Sequence, residues 1–216
     1  MNRRVRLGLF ALLSVTVVRT GGAAPTADIA STAWQLDVEF YDPQRITIQL
    51  PGSDRPTTFW YVLYQVTNQT GQEVQFYPSF RIVTNTLQVV DGGADISPSV
   101  YDAIAARHKR EYPFFAPPGK VTGPLLQGEE NSRASVAVFR TFDPQASSFT
   151  LFMSGLSGEI ERVANPSFDV KGPVSEDNAR AFLLRRTLAV TYDLPGDPET
   201  RAFAAPIRRL REWVMR

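Results

Sequence analysis

Between Thr57 and Phe80 the chain reads TTFWYVLYQVTNQTGQEVQFYPSF, and from Phe59 to Tyr64 it is apolar without a break. Successive side chains of a strand point to opposite faces, so a strand that is apolar at every position must be covered on both sides. The run therefore predicts a central strand, with Trp60, Val62, Tyr64 and Val66 on one face. Asn68 to Gln72, which contains Gly71, supplies a turn. Val74, Phe76 and Phe80 then predict a partner strand.

The neighbouring segments alternate instead. Trp34, Leu36, Val38 and Phe40 are interleaved with Gln35, Asp37 and Glu39, the pattern of a half-buried strand. Asp42-Pro43 separates it from a second strand, Arg45 to Leu50. Ile82 to Val90 predicts a strand pair or a bulged strand, closed by the Asp91-Gly92-Gly93 turn. Ser97, Pro98 and the apolar positions Val100, Ala103 and Ile104 predict a helix over 97–111. Segment 113–131, rich in Pro and Gly, reads as a long loop. Strands return at 135–142 and 149–154. Gly155 to Asn178 is mainly loop with room for one short strand, and 183–194 is the last strand.

The N-terminus carries a different signal. Arg3, Arg4 and Arg6 precede a twelve-residue apolar run, Leu7 to Val18, and small residues follow at Gly21, Gly22, Ala23 and Ala24. This is the layout of an export signal. Twelve residues make only about 18 Å of helix, against a bilayer core of roughly 30 Å. An uncleaved anchor is the rival reading, and Arg19 directly after the run is what favours it. Cleavage near Ala24 removes four arginines and leaves 19 basic against 22 acidic side chains, so no global charge argument for nucleic acid survives. The chain has no cysteine, which excludes disulfides, thiolate metal sites and a lipid-modified cysteine. Stability must come from an ordinary core, which a chain of this length can bury.

The run Tyr61-Val-Leu-Tyr-Gln-Val-Thr-Asn-Gln-Thr-Gly, followed by Val74 and a later Phe-Thr-Leu strand, resembles the immunoglobulin-like sandwiches of secreted bacterial proteins. The resemblance covers roughly residues 34–195. It implies an all-β, antiparallel sandwich of about seven to nine strands, with Asn68 at a turn, Tyr64 and Val66 inward, and Val136 and Leu151 on later core strands. The helix at 97–111 and a C-terminal extension depart from the simple module. The domain organisation expected is a signal peptide at 1–24, a sandwich at 25–197 and a basic amphipathic extension at 198–216. Such folds adhere, bind partners, chaperone or space other parts, so architecture transfers no activity.

Chemistry-bearing patterns are sparse. His108 is the sole histidine, and a zinc site draws on several His or Cys ligands. Its setting, Ala-Arg-His-Lys-Arg-Glu, reads as a solvated helix face. No nucleophile elbow or phosphate-cradling glycine loop occurs. Asp91, Asp95, Glu129 and Glu130 lie in loops, and Asp37 and Glu39 share the solvent side of one strand, so no glycosidase pair is legible. Asp91-Gly-Gly-Ala-Asp95 lacks the spacing of a calcium loop and reads as a tight turn. Asn68-Gln69-Thr70 matches a glycosylation acceptor, yet a turn calls for Asn there anyway. No catalytic, cofactor-binding or metal-binding residue is assigned, and no cofactor.

From Arg201 onward there are five arginines and one acid, mixed with Ile207, Leu210, Trp213 and Val214. Ile207, Leu210 and Val214 recur at helical spacing, with Pro206 placed to start a helix. The segment either packs on the sandwich through Trp213 or docks on an anionic surface. The function expected is that of an exported, periplasmic or extracellular, non-enzymatic protein that binds another macromolecule or supports an envelope structure. Its partner would be a protein or envelope component, with no nucleic acid and no membrane span after signal removal. A carbohydrate-binding module and a secreted hydrolase are the alternatives.

Overall fold

The computed structural model describes residues 34–216, so the export signal at 1–24 lies outside the described residues. The strands are β1 (Asp37–Phe40), β2 (Gln44–Gln49), β3 (Pro56–Thr67), β4 (Val74–Phe76), β5 (Ser79–Thr84), β6 (Val89–Asp91), β7 (Gly123–Leu125), β8 (Arg133–Arg140), β9 (Ser148–Ser154), β10 (Ile160–Ala164), β11 (Ala181–Asp193) and β12 (Ile207–Met215). Helices α1 (Pro98–His108), α2 (Pro118–Val121) and α3 (Pro198–Arg201) interrupt them. Every strand pairing among the described residues is antiparallel.

In the first sheet β3 is central. β1 and β2 pair with its two halves, Tyr64–Thr67 and Pro56–Tyr61, as a single edge broken at Asp42-Pro43. Proline has no N–H to give to a ladder, so the break falls where the sequence places it. β8 takes the opposite side of β3. The second sheet runs β6, β5, β9, β11, with β12 beyond β11. β10 pairs with the first half of β11. Arg186 N donates to Glu159 O while Arg185 exchanges both bonds with Arg216, which places β10 and β12 on opposite sides of β11.

The two sheets share one core. Trp60, Val62, Tyr64, Val66, Ala137 and Phe139 of the first meet Ile82, Phe149, Leu151, Met153, Leu188, Val190 and Tyr192 of the second. The other face of the first sheet is also buried: Ile46, Phe59, Tyr61, Leu63, Val136 and Val138 pack under Val100 and Ile104 of α1. This third layer is why β3 is apolar on both sides. Each of these large side chains contributes roughly 1.5–3 kcal/mol of burial.

Four expectations are corrected. Val74, Phe76 and Phe80 do not form a hairpin partner of β3. β4 pairs with β7, β5 belongs to the second sheet, and β8 occupies the edge of β3 instead. The loop expected at 113–131 carries α2, β7 and a 3-10 turn at Glu129–Asn131. The helix expected over 97–111 stops at His108, where Glu111 N and Tyr112 N turn back to the His108 carbonyl. The C-terminal segment is a strand rather than a helix, because its backbone completes eight register positions along β11. Twelve strand segments form among the described residues, more than expected, because breaks divide long edges and short strands pair locally.

Candidate functional site

β8 is the outer strand of the first sheet, and its free edge is closed at two points. Gly93 N donates to Val138 O (2.8 Å), and Ala116 N donates to Ala134 O (3.1 Å). Alternate residues of a strand direct their backbone groups to the same side, so Val136 faces outward with Ala134 and Val138. The far side of the ladder agrees: Leu63, opposite Val136, gives its carbonyl to Tyr41 N across the sheet. Between the two closures, Val136 N–H, Val136 C=O and Val138 N–H have no hydrogen-bond partner among the described residues.

Val136 and Val138, 1% and 0% exposed, border a cleft of about 300 Å³ lined also by Tyr64, Phe80, Tyr101, Gly93 and Gly119. The Tyr64 hydroxyl is buried and without a partner among the described residues. Burial pushes its pKa up to about 12, while the Ser135 hydroxyl beside it pulls the other way. Ser135 donates its own proton to Ala116 O (2.7 Å). A buried polar group without a partner costs roughly 1–3 kcal/mol, so an uncompensated group beside a cleft marks a place where something else can supply the bond. The residues lining this notch are all uncharged.

Glycine builds one end of it. At Gly92 a Cβ would lie 3.1 Å from both the Phe80 carbonyl and the Phe139 ring, and Gly93 takes φ +81°. Only glycine passes so close and turns this way without strain. The Asp91–Asp95 segment is therefore a turn that carries the chain from the second sheet onto the β8 edge.

A second cavity, about 400 Å³, lies beside Trp60, Phe142 and Phe203. Its polar groups are already engaged. The Arg45 guanidinium sits 3.9 Å over the Trp60 ring and donates to Arg201 O (2.9 Å) and Ala204 O (2.8 Å). Trp60 stacks on Phe142 at 5.5 Å. The arrangement locks the β11–β12 connection down.

His108 is not on a solvated face, contrary to expectation. It is 9% exposed, with Nε2 2.9 Å from the Tyr61 hydroxyl and Nδ1 3.1 Å from Glu111 Oε2. Tyr61 is fully buried and also meets Gln44 Oε1 (2.8 Å), while Arg107 donates to it (3.2 Å). One phenolic proton cannot serve both Gln44 Oε1 and His108 Nε2. The Tyr61 hydroxyl is thus shared between the Gln44 amide and the His108 ring. The chain Glu111–His108–Tyr61 has the order of a proton relay, but its tyrosine end is closed to solvent. It pins α1 to β2 and β3.

The other candidates separate. Asp91 pairs with Arg81 (2.6 Å), away from Glu129 and Glu130, which sit on the turn after β7 and line a cleft of about 250 Å³ together with Glu111. Asp37 and Glu39 lie on the more exposed side of β1, as expected. Among the described residues no group of three His, Asp or Glu side chains comes together to hold a metal. Asn68 is fully buried. Its amide donates to Gln72 O and Leu125 O, both at 2.8 Å, and its Oδ1 accepts from Thr70. Its nitrogen is thus engaged in the turn, not presented as a glycan acceptor. Trp60 is core, and Trp34 and Trp213 are partly buried against it. No helix of the described residues is long and apolar enough to cross a membrane.

Sequence reasoning placed Tyr64 inward and Val136 on a later core strand but missed the notch. A phenol on an otherwise apolar inward face was the one available signal, since Tyr hydroxyls ordinarily find a partner when buried. No family model matches the chain, and no curated protein or solved structure matches it.

Proposed function

We propose that this chain is an exported, non-enzymatic, immunoglobulin-like β-sandwich that binds another macromolecule in its envelope or extracellular setting. The strand order supports the architecture: β1/β2–β3–β8 faces β6–β5–β9–β11, two antiparallel sheets in the layered arrangement of such sandwiches. β12, α1 and the β10–β11 ribbon are additions to it. The observation that carries the binding reading is the cleft beside β8, which borders the buried Tyr64 phenol and three buried backbone groups, all without a partner among the described residues. The hydrolase alternative calls for two carboxylates held across a cleft by the framework; Glu111, Glu129 and Glu130 do line a cleft of about 250 Å³, but all three are exposed residues of turns rather than of the sheets. The carbohydrate alternative calls for aromatics in an exposed row, and the tryptophans here pack against the core. Export rests on the basic start, the Leu7–Val18 run and the small residues after it.

The test is a titration of the isotopically labelled full-length chain with a reduced, alkylated and permanently unfolded polypeptide, and separately with neutral oligosaccharides. Backbone resonances of 134–138 should move with the polypeptide alone. Movement with the sugars instead, or cleavage of either probe, would contradict the reading. N-terminal sequencing of material from the envelope fraction checks export, with a new start near Ala24 expected and an intact Met1 against it.

A further inference from the structure

Arg45 carries a charge that no acid answers. Its Nη2 donates to Arg201 O and Ala204 O, and its guanidinium lies over the Trp60 ring. Both bonds use that one nitrogen, and Nε and Nη1 have no partner among the described residues. The fully buried side-chain atoms without a partner there are the Tyr64 and Tyr192 hydroxyls, so these two donors of the half-buried Arg45 reach solvent. No described carboxylate forms an ion pair with Arg45. Burial lowers its pKa, with nothing acidic to raise it. Carbonyl dipoles and an aromatic face offset part of the cost of burying a cation, and a full negative charge offsets more.

The cavity of about 400 Å³ beside Arg45 is lined by a second guanidinium, that of Arg201. It donates from Nε to Gly196 O (2.8 Å) and from Nη1 to Gln145 O (3.0 Å), and Nη2 is left over. Asp143 is the one acid in the lining, and its Oδ1 accepts from Gln145 N. Asp197, outside the lining, spends its carboxylate on Thr200 as the cap of α3. Positive charge is therefore in excess. The rest of the wall is mainly apolar, with Leu194, Phe142 and Phe203. Arg45, Arg201 and Phe142 are half-buried and Phe203 is 87% exposed, so the cavity is reached from solvent. We infer that it binds a small organic carboxylate with an aromatic body, the carboxylate at Arg45 and Arg201 and the ring against Phe203 and Phe142. Sites for small molecules are mostly apolar with a few placed polar groups, and this volume is at the small end of their range. Charge-assisted bonds from a guanidinium are the strong ones available there. The inference goes beyond the macromolecule-binding reading and does not depend on it.

The probe is 2-naphthoate, with 2-naphthamide as its uncharged counterpart of nearly the same shape. In spectra of the isotopically labelled full-length chain, naphthoate should shift the Nε–H resonances of Arg45 and Arg201 and the ring resonances of Phe203. The amide should bind about tenfold more weakly, the loss expected when a bond to a charged group is replaced by a neutral one. Arg201→Gln should weaken naphthoate by a similar factor and leave the amide's affinity unchanged. Phe203→Ala should weaken both probes and leave the thermal melt unchanged, because the ring already stands in solvent. Equal affinity for the two probes would overturn recognition of the charge. Shifts confined to Arg208, Arg209 and Arg211 would overturn the inference by showing ion pairing at the surface only. No shift at Arg45 or Phe203 with either probe would overturn it outright. None of these results bears on the response of residues 134–138 to an unfolded polypeptide, so the two readings fail separately.

Discussion

Among the described residues, the long outer strands β8 and β12 handle their free edges in opposite ways. A free edge presents unpaired N–H and C=O groups to any other strand. β12 follows Pro206 and carries Arg208, Arg209, Arg211 and, just past its end, Arg216. A bulge falls between Thr191 and Tyr192 in its pairing with β11. Its arginines are tethered from below: Arg208 to Asp42, Arg209 to Asp193 at 3.3 Å, with Arg208 and Arg211 over the Phe40 ring at 4.8 and 5.5 Å. Charge and a bulge are the usual means of discouraging a neighbour strand. β8 has neither along its middle. Val136 to Phe139 are all buried, and the edge is sealed by two loop contacts with a gap between them. One edge is defended by repulsion. The other is covered except where its bonds are missing.

The largest effect is expected at Tyr64. Tyr64→Asp puts a carboxylate between the sheets beside β8, where an uncompensated buried charge costs about 4 kcal/mol or more. Against a typical domain stability of about 5–15 kcal/mol, the variant should be unfolded or nearly so in a thermal melt. On the other edge, Trp213 is the inward anchor of β12. Trp213→Ala should cost about 3 kcal/mol, near the lower end for a tryptophan because the residue is only partly buried. Chemical denaturation of the two variants side by side checks the ranking.

Alkaline pH probes the Tyr64 phenol, which with that of Tyr192 is one of two buried tyrosine hydroxyls without a partner among the described residues. Its pKa is raised from 10.0 to about 12 by burial, so the folded state holds the proton more tightly than the unfolded chain. The associated stability is fully present below pH 10 and is lost as pH rises through 12. The difference corresponds to about 3 kcal/mol. Tyr64→Phe should lack this part of the alkaline decline. At neutral pH it should melt no lower than the parent, because the deleted hydroxyl had no bond to lose. A neutral-pH loss as large as that of a core cavity would show that the hydroxyl is already satisfied.

The smallest expected effect is at the helix layer above the first sheet. His108→Ala removes two side-chain contacts that tie α1 down, and should cost about 1–2 kcal/mol. A double-mutant cycle with Tyr61→Phe should show coupling, since the two share one bond. A silent His108→Ala would restore the solvated face read from the sequence.

That misreading shows what local pattern can carry. β3 was legible because its burial on both faces is written into six consecutive apolar residues, and the β1–β2 break because Pro43 cannot pair. His108 was not, because Arg107, Lys109 and Arg110 around it signal solvent, while Arg107 itself turns back to Tyr61. β12 was read as a helix since Ile207, Leu210 and Val214 fit that period. In the strand, the bulge shifts the alternation, and Arg208 and Arg211 occupy inward positions over Phe40 that an apolar pattern would have claimed. The notch was the least legible element. Its working groups are mainly backbone, and no residue type records which strand will lie at an edge.

Amide hydrogen exchange along β8 in the ligand-free chain tests the central claim most directly. Ala137 and Phe139 donate across the ladder to β3, while Val136 and Val138 point into the notch. These amides share one strand and one neighbourhood, so pairing is what differs between them. Ala137 and Phe139 should be protected to near the global stability, and Val136 and Val138 should exchange orders of magnitude faster. Uniform protection along all four would mean that the β8 edge is closed, and the notch would then be no site.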